Sequence, residues 1–170
     1  TCRSVIPTPP CGQNTITISI ILTILIVNSL HPPFHNRERE RHSLQQTLRS
    51  PRSELVILYG RRGVGKSALL RRVLEDEGVP FLYHRAVRRT LPLQLAALTD
   101  DFRAAFPGVF LPQPFGTFST FLDGVAFEAQ ARQDRANPTP VCVVIDELPY
   151  LADAEPGLLT LLQHWWDDNK

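Results

Sequence analysis

From residue 54 onward, short apolar runs alternate with stretches whose apolar residues recur at helical spacing. Residues 54–59 read ELVILY, the pattern of a buried parallel strand. Leu69, Leu70, Val73 and Leu74 then share one helical face, and Gly78 marks the predicted helix end. Residues 80–86, PFLYHRA, predict a second strand. Leu91, Leu95, Leu98, Phe102 and Phe106 recur at near-helical spacing, followed by a proline-rich loop at 107–114. In residues 118–131, Phe118, Phe121, Leu122, Val125 and Ala129 lie on one predicted helix face. These phenylalanines are expected in the core rather than on a base-stacking surface. Residues 141–148, VCVVIDEL, place five apolar residues before two acids, a buried strand carrying carboxylates to its end. A last helix is expected from Glu155-Pro156-Gly157 onward, with Leu158, Leu161, Leu162, Trp165 and Trp166 on one face. Two adjacent tryptophans there are expected to be exposed, awaiting a cover. Strands alternating with helices predict an α/β fold, a parallel sheet flanked by helices.

The first third follows another pattern. Residues 4–30 carry no charged side chain, and residues 16–27 read ITISIILTILIV. That run is shorter than the roughly 20 residues of a membrane helix and contains threonine and serine. Asn28-Ser29-Leu30 is a poor signal-cleavage site. Three readings stand: an artefact of the start site, a real anchor or signal segment, or a soluble strand or helix. Pro32-Pro33 ends the segment. Residues 34–52 are charged and helical in pattern, with Asn36 as N-cap and Leu44 and Leu48 on one face. They read as a solvated surface helix. Glu38 and Glu40 argue against a basic nucleic-acid arm, because they would repel phosphate.

Composition narrows the class. With 170 residues, 43% hydrophobic and 21% charged, the chain is neither disordered, collagen-like nor a polytopic membrane protein. The net charge of +1 gives no global pull toward nucleic acid. The charge is uneven: residues 1–89 hold 14 Lys+Arg against 6 Asp+Glu, and residues 90–170 hold 4 against 11. Arg85, Arg88 and Arg89 read as solvated, with phosphate sensing or a partner-binding patch as the alternatives. Only Lys66 and Lys170 are lysines, so an internal lysine suggests work that arginine cannot do. Cys2, Cys11 and Cys142 have no disulfide or metal spacing, and Cys142 reads as a small core residue. His31 and His35 are four apart, but Pro32 and Pro33 forbid the helix that would align them.

Directly after the first predicted strand stands Gly60-Arg61-Arg62-Gly63-Val64-Gly65-Lys66-Ser67. It fits G-x-x-x-x-G-K-[ST], and it lies between a strand and a helix, as a phosphate-binding loop must. Glycines let the backbone curl so that amides converge on phosphate oxygens. The helix N-terminus adds the positive end of its dipole. Lys66 offers a flexible point charge for the outer phosphates, and Ser67 a hydroxyl for Mg²⁺. At the end of the 141–148 strand, Asp146 is expected to hold Mg²⁺ and Glu147 to orient and deprotonate the attacking water. Ligands in open α/β sheets bind at that edge. Asp146-Glu147-Leu148-Pro149 differs from the D-x-x-G of GTP switches, and no N-K-x-D is present, which favours adenine over guanine.

Phe34-x-Asn36-Arg37-Glu38-x-Glu40, LVILYGRRGVGKS at 55–67 and VVIDELPYL at 143–151 together resemble the archaeal-type ATPase family, a branch of AAA-like P-loop ATPases. The resemblance covers roughly residues 34–170. It implies ATP phosphates on Gly60, Arg61, Arg62, Gly63, Val64, Gly65, Lys66 and Ser67, Mg²⁺ at Ser67 and Asp146, and catalytic Glu147. It also implies a polar sensor strand lying between the loop's strand and the acidic strand, and contributed by sequence after residue 170. On that reading residues 1–33 stand outside the nucleotide domain. Residues 34–170 would be an incomplete P-loop domain, with a strand-wide gap and no ATPase activity of its own. The expected function is Mg-ATP binding and, in the complete protein, hydrolysis that drives a mechanical or regulatory output in the cytoplasm. A non-hydrolysing switch or interaction module and a small-molecule kinase are the alternatives. A protein partner or homo-oligomer is an open expectation. Nucleic acid would bind only through a C-terminal region beyond residue 170, and a membrane only if residues 16–27 anchor.

Overall fold

A computed structural model of the chain describes residues 18–25, 37–61, 63–133 and 139–169. It is a four-stranded, all-parallel sheet with helices on both faces, as the alternating pattern predicts. The elements run β1 (Ile18–Leu25), α1 (Glu38–Leu48), β2 (Glu54–Gly60), α2 (Lys66–Glu77), β3 (Phe81–Arg85), α3 (Leu91–Ala105), α4 (Phe118–Gln133), β4 (Val141–Asp146), α5 (Leu148–Ala154) and α6 (Leu158–Asn169).

The strand order is β2-β1-β4-β3. This brings residues 18–25 of the apolar N-terminal segment into the sheet, and it corrects the expectation of a strand-wide gap between β2 and β4. β1 fills the position between them, parallel to both, with Ile21 opposite Val56 and Val144. The reason is local composition: a run of isoleucine, leucine and threonine is itself a good interior strand. Among the described residues no helix is long and apolar enough to cross a membrane.

Because β1 takes the interior position, β2 becomes an edge strand. Its burial alternates, leaving Leu55, Ile57 and Tyr59 exposed on one face, so it is not the fully buried strand expected. β4, flanked on both sides, is buried at every position.

Each sheet face has its own core. Val56, Leu58, Cys142 and Val144 meet Leu44 and Leu48 of α1 and Leu70, Val73 and Leu74 of α2. The other face joins Leu82, Val143 and Ile145 to α3–α6. There Phe102, Phe106, Phe118 and Phe121, in the core as expected, form edge-on or tilted pairs with one another and with Phe115. Trp165 is buried in the same core and Trp166 packs partly against it. That corrects the expectation of two exposed tryptophans, because α6 lays that face on the domain itself. The cap position of α1 is Arg37, which makes no side-chain cap bond; Asn36 lies outside the described residues.

Candidate functional site

α2 begins directly after the glycine-rich loop, and two positive φ values make that turn. Gly63 has φ 79° and Gly65 has φ 78°, in the left-handed region where a side chain is strained. Gly65 also serves as the N-cap of α2, so Lys66 and Ser67 occupy its first turn. Lys66 is buried and folds back on the loop, donating from Nζ to the Gly60 carbonyl at 2.9 Å and the Arg61 carbonyl at 2.8 Å. Burial lowers the Lys66 pKa; Asp146 and Glu147 act to raise it, and Arg37, at the head of α1, adds to the lowering. Val64 is partly buried, and Arg62 lies outside the described residues.

Strand period carries Asp146 to the same place. Cys142, Val144 and Asp146 alternate with Val143 and Ile145, so Asp146 emerges on the α2 side of the sheet. Ser67 Oγ donates to Asp146 Oδ2 at 2.6 Å across 79 residues of sequence. Asp146 is 4% exposed and its Oδ1 accepts the Glu147 backbone N–H at 3.1 Å. The sequence-predicted groups Lys66, Ser67, Asp146 and Glu147 are therefore brought together at one sheet edge.

Glu147 is the sole non-glycine with positive φ among the described residues, at φ 61° and ψ 39°. A left-handed glutamate is strained, and such strain clusters at functional sites. The turn starts α5, a short helix that the sequence reading missed because Pro149 sits early in it, an allowed first-turn position. Glu147 also lines a cleft of about 280 Å³ with Arg85, Arg88 and Tyr150. Arg85, Arg88 and Arg89 are exposed, as expected, yet two of them border the acid. A larger hollow of about 700 Å³, lined by Asp123, His164, Trp165 and Asp168 among others, contains none of the loop residues.

One residue of the site escaped the sequence reading. Tyr83 Oη donates to Asp146 Oδ2 at 2.6 Å, and the Arg71 guanidinium lies 4.4 Å from its ring centroid. Burial, then the hydrogen bond to Asp146, raises the Tyr83 pKa, so the phenol keeps its donor proton. Only the pairing of β3 with β4, Tyr83 opposite Val144, reveals this contact.

The oxygen donors of Ser67 and Asp146 suit a hard cation such as Mg²⁺. Among the described residues no group of three or more His, Cys, Asp or Glu could hold a metal ion. Two protein oxygens beside a phosphate loop fit a cation that arrives with a nucleotide, not a metal held in a protein cage.

The profile of the AAA ATPase domain matches residues 33–164. An uncharacterised ATP-binding protein of Methanocaldococcus jannaschii is 39% identical over 46 residues, covering 27% of this chain and 78% of that protein. No solved structure matches. The chain belongs to the AAA ATPase domain family, with a parallel α/β P-loop fold.

Proposed function

We propose that this AAA ATPase domain binds ATP with Mg²⁺ on residues 60–67 and, in the complete protein, hydrolyses it by in-line attack of water on the γ-phosphorus. The observation that carries this reading is the 2.6 Å bond from Ser67 to Asp146, which joins the phosphate loop to the acidic strand. Gly60, Arg61, Arg62, Gly63, Val64 and Gly65 form the cradle, with α2 directing its N-terminus at the phosphates. Lys66 exchanges its bonds to the Gly60 and Arg61 carbonyls for the outer phosphate oxygens. That exchange replaces neutral acceptors by charged ones, so it favours the loaded state.

Ser67 and Asp146 would hold Mg²⁺, which when bound supplies charge neutralisation on the transferring phosphoryl group. Glu147 orients the water and takes its proton. Arg85 and Arg88, beside Glu147, place positive charge near the developing phosphate charge. The output of the cycle is mechanical or regulatory, through a protein partner or a second copy.

Phosphate release by the full chain, with and without Glu147→Gln, tests the reading. The wild type should release phosphate without any added acceptor, and the variant should keep ATP affinity but lose release. Binding without release in both proteins would instead identify a nucleotide switch. ADP formation that requires an acceptor, with the phosphate carried by the acceptor and none released, would identify a kinase.

A further inference from the structure

Asp146 carries two oxygens with about four acceptor positions in all. Oδ1 takes the Glu147 amide at 3.1 Å. Oδ2 takes two hydroxyls, Ser67 Oγ and Tyr83 Oη, each at 2.6 Å. Both acceptor positions of Oδ2 are thus filled, and each bond is short and charge-assisted. The Ser67 hydroxyl can donate to Asp146 and still offer its own lone pairs to a cation. The Tyr83 hydroxyl occupies an acceptor position on the one Asp146 oxygen that faces Ser67.

We infer that Tyr83 is a metal-displaced positioning residue: its hydroxyl holds Asp146 Oδ2 in the empty site and must leave when Mg²⁺ arrives with the nucleotide. The inference rests on the proposed Ser67–Asp146 cation site. Tyr83 has a second anchor, since Arg71 covers its ring from α2, one helical turn beyond Ser67. That contact can hold the ring against α2 while it tilts far enough to carry Oη off the carboxylate. A buried carboxylate is costly without donors, so Tyr83 keeps Asp146 satisfied between nucleotides. The loaded site no longer needs it, because the cation supplies the positive partner.

A purely structural tyrosine and a displaced one predict opposite shifts. Removing a structural support weakens the cation's hold; removing a competitor tightens it. The full chain and Tyr83→Phe are titrated with Mg²⁺ at a fixed concentration of a non-hydrolysable ATP analogue, reading nucleotide binding. The expected result is about a tenfold lower Mg²⁺ requirement in Tyr83→Phe, with a lower melting temperature in the absence of nucleotide. An unchanged or higher Mg²⁺ requirement overturns the inference.

Asp146→Asn, titrated alongside, separates the two levels. If it loses Mg²⁺ dependence while Tyr83→Phe matches wild type, only the inference fails. If it keeps wild-type Mg²⁺ dependence, the cation site and the inference fail together. A second readout does not depend on the folding of Tyr83→Phe. The chain has three tyrosines, so Tyr59→Phe with Tyr150→Phe leaves Tyr83 as the single phenol. Its ultraviolet difference spectrum should change when Mg²⁺ is added to the analogue complex, and an unchanged spectrum would also overturn the displacement.

Discussion

Placing proline at position 22 tests the sheet where it departs most from the sequence reading. Leu22 lies opposite Ile57 of β2 and Ile145 of β4, so its backbone is flanked on both sides. Proline removes the amide donor, clashes with its neighbours, and is confined to edges or bulges in sheets. By analogy with helix interiors its cost is about 3 kcal/mol or more. The wider stake is larger. β1 pairs with β2 at seven positions and with β4 at five, and β2 has no other strand neighbour among the described residues. Losing the seven-pair β1–β2 ladder, at about 1 kcal/mol per hydrogen bond, would consume most of a typical domain's stability. It would also uncouple the strand that carries the phosphate loop from the strand that carries Asp146. The assay is urea unfolding followed by tryptophan fluorescence, with ATP titration in parallel. At a typical urea slope, Leu22→Pro should lower the midpoint by about 1–3 M and weaken nucleotide binding. A variant with wild-type midpoint and wild-type affinity would show that β1 does not belong between β2 and β4.

Three further outcomes follow from single residues. Lys66→Ala should weaken ATP binding by roughly ten- to a hundredfold, since a charge-assisted contact to phosphate is lost; Lys66→Arg should fail as well, because a planar guanidinium does not fit a point-charge socket. An arginine variant within a few-fold of wild type by calorimetry would contradict that role. Glu147→Gly should abolish phosphate release yet raise the melting temperature by about 2–4 °C, as φ 61° costs glycine nothing; a lower melting temperature would mean that the turn is not strained. Burial pushes the Cys142 thiol up from 9.0 to about 12. The raised pKa means that its contribution to stability is complete below about pH 9 and is lost as pH rises toward 12. The urea midpoint should therefore fall more steeply above pH 9 in wild type than in Cys142→Ala, and parallel slopes would count against it.

The local pattern made most elements legible. Periodicity marked α2, α3, α4 and α6, and the apolar run, glycines and helical spacing of residues 54–77 made their strand–loop–helix arrangement readable. Asp146 and Glu147 were readable because five apolar residues followed by acids put charge at a strand end. What failed was non-local. Whether residues 18–25 enter a sheet depends on which strand position is open, and no spacing in the sequence states that. The same blindness made β2 look buried, since an edge strand and an interior strand share the run ELVILY. Tyr83 was read only as part of a strand, because its partner, Asp146, lies 63 residues away and meets it through sheet order. Trp165 looked exposed because the sequence shows a helix face but not the surface it covers.

The central claim is that the phosphate loop and the acidic strand form one cation-dependent nucleotide site. A double-mutant cycle on Ser67→Ala and Asp146→Asn tests it most directly, with ATP-analogue affinity measured with and without Mg²⁺. Groups 2.6 Å apart that serve one cation should couple by about 1 kcal/mol or more when Mg²⁺ is present. In EDTA that coupling should shrink. Additive effects of the two substitutions in the presence of Mg²⁺ would show that the two residues do not act on one nucleotide-bound cation.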